Sequence, residues 1–126
     1  MRILLVEDDP DDVFLARKAL DRAALKYELV HAWDGLAALE TLAAAAELPD
    51  IILLDINMPR LNGMDTLKRI RANERTRHLP IVMLTTSDAD QDVLQAFANH
   101  ASGYYTKPLR GNEIGQVIQK ALGAMA

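Results

Sequence analysis

The sequence predicts an α/β fold: five parallel strands with helices covering both faces of the sheet. Three runs of branched apolar residues, Ile3-Leu4-Leu5-Val6, Ile51-Ile52-Leu53-Leu54 and Ile81-Val82-Met83-Leu84, lack the period-two alternation of a half-exposed strand, so both faces of each must be covered. Each run is followed by a stretch with helical spacing, and strands that alternate with helices are joined in parallel through crossover connections. Two weaker strand candidates, Glu28–Ala32 and Gly103-Tyr104-Tyr105, complete the set of five.

The helices follow from their starts. Asp9-Pro10-Asp11-Asp12 offers an N-cap acid, a proline at the first helical position and two acids at the positive helix end, before Val13, Ala16, Ala19 and Leu20 form an apolar face. Asp34-Gly35 precedes a second helix over about 36–46, where the run of four alanines reads as a helix end made of the strongest helix former. Asn62-Gly63 opens a third, with Met64, Leu67 and Ile70 inward and an end near Asn73. Ser87 with Asp90 resembles a capping box before a fourth helix over about 88–99, and Gly111-Asn112 precedes a fifth over about 112–125.

Composition narrows the functional classes. The 126 residues, half of them hydrophobic and a quarter charged, suffice for one core, and residues 1–126 read as a single domain with no linker or repeat. With no cysteine, thiol catalysis and zinc-thiolate sites are excluded. Lys and Arg number 14 against 18 Asp and Glu, a net charge of −4 that argues against direct contact with DNA. The apolar runs fall far short of the ~18 residues of a membrane span. The acids at Asp8 and Asp9 leave no room for a secretory signal, so the cytoplasm is expected.

Function in an open parallel sheet gathers beyond the carboxyl ends of the strands. The residues there are Glu7 and Asp8 after the first strand, Asp55-Ile56-Asn57 after the third, Thr85, Thr86 and Ser87 after the fourth, and Lys107-Pro108 after the fifth. Carboxylates crowded at one edge repel, and a divalent cation removes the conflict. Mg2+ suits an oxygen-only set, with Mn2+ as a substitute: Asp8 and Asp55 as direct ligands, the main-chain carbonyl of Asn57 as another, and Glu7 acting through water or as a holder. An aspartate can also attack a phosphoryl group. Lys107, Thr85 and backbone N–H groups would then hold the phosphate oxygens, and Lys107 would pair with Asp55 when phosphate is absent.

Leu5-Val6-Glu7-Asp8, Leu53-Leu54-Asp55-Ile56-Asn57-Met58-Pro59, Asn62-Gly63, Met83-Leu84-Thr85 and Gly103-Tyr104-Tyr105-Thr106-Lys107-Pro108 together resemble the receiver domain of two-component response regulators, along the whole chain. The resemblance is to single-domain, chemotaxis-type members. It implies a flavodoxin-like, doubly wound (βα)5 sheet of order 2-1-3-4-5. It further implies Asp55 as acceptor of a phosphoryl group from a phosphohistidine on a sensor histidine kinase or histidine phosphotransfer protein. Thr85 would be the switch hydroxyl, Tyr104 the switch aromatic, and Lys107-Pro108 a cis junction aiming the ammonium at the site. Output would pass through the surface of helix four, strand five and helix five to a downstream protein or a second copy of the chain, since no effector segment follows Ala126. Asp8-Asp9-Pro10-Asp11-Asp12, Asn57-Met58-Pro59 and Leu84-Thr85-Thr86-Ser87 are similar to receivers that partner bacterial phytochromes, which implies a phytochrome-type kinase.

Blander roles fit other residues. Asp9, Asp11 and Asp12 suit helix capping and the helix dipole. Thr86 and Ser87 suit backbone contacts, while His31, His78 and His100 have no ligand spacing and Trp33 and Tyr105 read as packing or surface aromatics. The enzymatic rival is an aspartate-nucleophile phosphatase of the haloacid dehalogenase type. Those enzymes resemble one another in a second Asp two residues past the nucleophile, serving as general acid and base, and here that place is Asn57. An amide cannot exchange protons, so an acyl phosphate would persist and reset only by slow self-hydrolysis, as befits a switch.

Overall fold

The computed structural model describes residues 1–23, 25–86, 89–108 and 110–124. Its elements alternate along the chain: β1 (Arg2–Val6), α1 (Pro10–Arg22), β2 (Glu28–Ala32), α2 (Gly35–Ala44), β3 (Ile51–Asp55), α3 (Gly63–Ala72), β4 (Ile81–Thr85), α4 (Asp90–Ala98), β5 (Gly103–Thr106) and α5 (Gly111–Ala124). All strand pairs are parallel and the sheet order is β2-β1-β3-β4-β5, the flavodoxin-like order expected.

The uninterrupted apolar runs are explained by burial on both sides. Leu4, Val6, Ile52, Leu54, Ile81 and Met83 point to a core shared with Ala38 and Leu42 of α2, Met64, Leu67 and Ile70 of α3, and Ala96 of α4. Their neighbours Ile3, Leu5, Ile51, Leu53, Val82 and Leu84 point the other way, onto Val13, Ala16 and Leu20 of α1 and Ile114 and Ile118 of α5. Each fully buried Leu or Ile side chain contributes about 1.5–3 kcal/mol relative to exposure, so the three central strands anchor the domain. β2 lies at an edge, and only Ala32 of its five residues is buried.

Helix starts follow the polar signals. Asp9, Asn62 and Asp34 accept hydrogen bonds from the backbone N–H of Asp11, Asp65 and Ala37 respectively. Helix bounds differ from expectation by one to a few residues in α2, α3, α4 and α5. α2 stops at Ala44, before the alanine run is finished, with Ala45 extended. The reason is tertiary: Arg75 donates to the carbonyls of Leu42 and Ala45, closing the helix end against a residue from beyond α3. α3 ends at Ala72, one residue before the expected Asn73, which is its C-cap. α4 begins at Asp90 with Ala89 at the N-cap, later than expected, and the proposed cap residue Ser87 lies outside the described residues. α5 begins one residue earlier than expected, at Gly111, and Met125 lies outside the described residues. Among the described residues, no helix is long and apolar enough to cross a membrane.

The register aligns the strand ends. Val6 sits beside Leu54 and Ala32, Asp55 beside Leu84, and Thr85 beside Thr106. The residues that leave β1, β3, β4 and β5 therefore emerge along one edge, although they are far apart in sequence.

Candidate functional site

Glu7 leaves the end of β1 buried, 1% exposed, while the next residue, Asp8, is exposed. The Glu7 backbone is held from both sides. Its N–H donates to the Ala32 carbonyl at 3.0 Å, and its carbonyl lies 2.8 Å from Nε2 of His31, which places the ring proton on that nitrogen. Asp55, the last residue of β3, is 6% exposed. Carboxylate oxygens of Glu7, Asp8 and Asp55 all lie within 4.8 Å of one another. Such a cluster, two of its members buried, has oxygen donors only and fits a hard divalent cation.

Lys107 reaches this cluster from the end of β5. Its backbone N–H donates to the Thr85 carbonyl at 2.7 Å, and the peptide to Pro108 is cis, as the resemblance implied. The ammonium donates to Glu7 Oε2 at 2.7 Å and to Asp12 Oδ2 at 2.9 Å, while Asp55 Oδ2 is 3.7 Å away. The expected pairing of Lys107 with Asp55 is thus an ion pair, but the longest of three. Asp12 is the acid the sequence reading missed. The helix-dipole role expected from the sequence fits its place in the first turn of α1, yet its side chain turns to Lys107. His31 was likewise passed over, because a ring bonded to a backbone carbonyl leaves no ligand spacing in the sequence.

Charge and burial act against each other here. Burial raises the Glu7 carboxyl to about 7, against the Lys107 hydrogen bond and with help from the Asp55 charge. Burial also raises Asp55, opposed by Lys107 and by hydrogen bonds from Glu7 and the Asn57 N–H. For Lys107, burial disfavours the ammonium, but the hydrogen bonds of Asp12 and Glu7 and the charge of Asp55 outweigh it and raise its pKa.

The remaining candidates lie close by in the fold. Thr85 ends β4 fully buried, Thr86 follows exposed, and Tyr104 on β5 packs half-buried against the core beneath α3 and α4. Asn57 is exposed in the loop after β3. That loop is packed without slack: a Cβ on Gly63 would stand 2.0 Å from the Asp55 carbonyl oxygen. His78 and His100 are exposed, Trp33 is exposed with its ring edge-on to His31, and Tyr105 is buried with its hydroxyl donating to Glu113.

Comparison with known proteins accounts for the arrangement. The response regulator receiver domain family matches residues 3–119. The chain belongs to that family. This receiver is 34% identical over 122 residues to Response regulator Rcp1 of Synechocystis sp., covering 93% of this chain and 83% of that protein. The structure of the bacteriophytochrome response regulator AtBRR superposes with a TM-score of 0.87 at 34% identity, covering 98% of the receiver and 92% of that chain. The Mn2+-bound form of Rcp1 gives a TM-score of 0.78 at 33% identity, covering 94% and 88%. Receiver domains are signalling switches that accept phosphoryl groups from histidine kinases or phosphotransfer proteins and bind a divalent metal.

Proposed function

We propose that this receiver accepts a phosphoryl group on Asp55 from a phosphohistidine of a sensor kinase or phosphotransfer protein, and that the modification rebuilds the surface of α4, β5 and α5 for a partner. A carboxylate oxygen of Asp55 forms the bond to phosphorus, the phosphorus–nitrogen bond breaks, and the departing imidazole keeps the electron pair and takes up a proton. Asp8 and Asp55 directly, the Asn57 carbonyl, and Glu7 through water or as a holder would hold Mg2+, with Mn2+ able to replace it. The ion supplies charge neutralisation for the phosphate oxygens. Lys107 and the Thr85 hydroxyl take further oxygens, and Thr86 and Pro108 shape the wall around them.

The observation that carries this reading is Lys107 Nζ held among Glu7, Asp12 and Asp55, three acids from two separate chain segments. A lysine with its side chain only 11% exposed and set among an excess of carboxylates is arranged for an incoming anion with its own cation, since the present charges do not balance. Without a proton-exchanging group at Asn57, the acyl phosphate should outlast a phosphatase intermediate, so the domain acts as a switch with slow self-hydrolysis rather than as a turnover enzyme.

In this reading Thr85 moves toward the phosphoryl oxygens and Tyr104 rotates inward. The Mn2+-bound Rcp1 neighbour supports the metal, and the bacteriophytochrome response regulator AtBRR supports a phytochrome-type kinase as donor, with the exchange placed in the cytoplasm by this reading. A homodimer through α4 and α5 belongs to the same reading, and light scattering with and without beryllofluoride reads it. The deciding experiment is incubation with acetyl phosphate and Mg2+. One phosphoryl mass should be gained, and an Asp55→Asn variant that still gains it would remove the acceptor assignment.

A further inference from the structure

An ammonium has three N–H donors. Lys107 spends two of them on Glu7, at 2.7 Å, and Asp12, at 2.9 Å, and its 3.7 Å separation from Asp55 is beyond hydrogen-bond reach. Asp12 lies outside the carboxylate cluster of Glu7, Asp8 and Asp55. Helix capping does not need its side chain either, because Asp9 caps α1 and Asp11 also supplies first-turn charge. Asp12 instead forms, with Leu15, Thr86, Lys107 and Pro108, the wall of a cavity of about 270 Å3 beside the lysine.

We propose that Asp12 is a positioning residue that competes with the anion on Asp55 for Lys107. The inference rests on Asp55 being the phosphoryl acceptor. A tetrahedral anion there needs a short contact to the ammonium; the third N–H is available for it, but drawing the nitrogen from its present 3.7 Å toward Asp55 lengthens one of the two bonds it already makes. Glu7 is the wrong one to release: its side chain is 2% exposed, so water does not replace a lost hydrogen bond there. Asp12 is 29% exposed and regains water when released. The bond to Asp12 therefore yields, and its strength is subtracted from the affinity of the site for a phosphoryl group. Asp12 keeps the lysine in a resting position and raises the threshold for occupation.

The test is calorimetric titration of the intact protein with beryllofluoride at saturating Mg2+ and raised salt, where long-range charge effects are screened. Asp12→Ala should bind about five- to tenfold tighter than the wild type, a change of about 1.0–1.4 kcal/mol. Asp12→Glu should restore wild-type affinity to within about twofold. Asp11→Ala removes the same charge from the same helix turn without touching Lys107 and should also stay within about twofold. A merely structural role for Asp12 would move the melting temperature and leave the affinity where Asp11→Ala leaves it. Equal affinities for Asp12→Ala and Asp11→Ala, or weaker binding by Asp12→Ala, overturn the inference while Asp55 keeps its role. A wild type that binds no beryllofluoride overturns the acceptor reading and this inference with it.

Discussion

Arg60 grips Asp34 with two hydrogen bonds, Nε to Oδ2 at 2.6 Å and a terminal guanidinium nitrogen to Oδ1 at 3.0 Å. The pair ties the loop after β3, which carries Asn57, to the start of α2. Asp34 is buried, and the Arg60 hydrogen bonds together with the Ala37 N–H hold its carboxyl below the ordinary range. Arg60 itself has φ 64°, in the left-handed region, so the clamp holds a residue in a backbone conformation that favours glycine.

Arg60→Ala should remove the clamp and keep the backbone strain, whereas Arg60→Gly removes both. The glycine variant is expected to melt about 3–5 °C above the alanine variant. Both should bind Mg2+ about three- to tenfold more weakly than the wild type, because the loop bearing the Asn57 carbonyl is released. Thermal melts and Mg2+ calorimetry read the two effects separately. Unchanged Mg2+ affinity in both variants would reduce the pair to a stability contact.

The Glu7 carboxyl, raised from 4.5 to about 7 in the folded chain, makes the metal-free protein bind a proton more tightly than its unfolded state does. That contribution is complete below the unfolded pKa and is lost as pH rises through about 7, with an upper limit of about 3 kcal/mol. Stability in EDTA should therefore fall between about pH 4.5 and about pH 8. In the proposed reading Mg2+ takes the deprotonated carboxylates, so the stabilisation it gives should grow over the same interval. Denaturant titrations across pH, with and without Mg2+, measure both slopes. A flat metal-free profile would contradict the assignment.

Much of this was legible in the sequence because chemistry stands next to pattern. Glu7, Asp55, Thr85 and Lys107 directly end or follow apolar strands, so the periodicity that located the strands also located their tips. What was not legible depends on side chains meeting across the fold. Asp12 and Lys107 are 95 residues apart, Asp34 and Arg60 are 26 apart, and neither pairing has a local signature. α2 ended early for a similar reason: alanine propensity is local, but the Arg75 side chain that closes the helix arrives from elsewhere.

Gly63 decides how closely α3 approaches the site. A Cβ there would lie 2.0 Å from the Asp55 carbonyl oxygen and 2.7 Å from the Ile56 Cα, both backbone atoms that cannot swing away. Gly63→Ala should push α3 off the end of β3, costing on the order of 3 kcal/mol, a large effect for a single methyl group. Displacement of Asp55 should also weaken beryllofluoride binding more than the loss of stability alone explains. Chemical denaturation gives the first quantity and calorimetry on the folded fraction the second. A variant as stable as the wild type would show that the loop has slack the packing does not reveal.

Thr85 is fully buried at the end of β4, two strands away from β1 and beside Thr106 of β5. In Thr85→Ala the carboxylates, Lys107 and Asp55 are untouched, so phosphorylation by acetyl phosphate should persist, with a stability loss of about 1 kcal/mol for the buried hydroxyl. What should vanish is the transmission. In the wild type, beryllofluoride is expected to shift backbone amide resonances at the phosphoryl site and also across α4 and β5, where Leu94 and Phe97 stand 69% and 49% exposed. In Thr85→Ala only the first group should shift, because no hydroxyl remains to follow the new oxygens and drag the β4 end inward. Shifts of equal extent over α4 in both proteins would place the coupling elsewhere, with the Lys107 contact to Thr85 through its backbone as the remaining route.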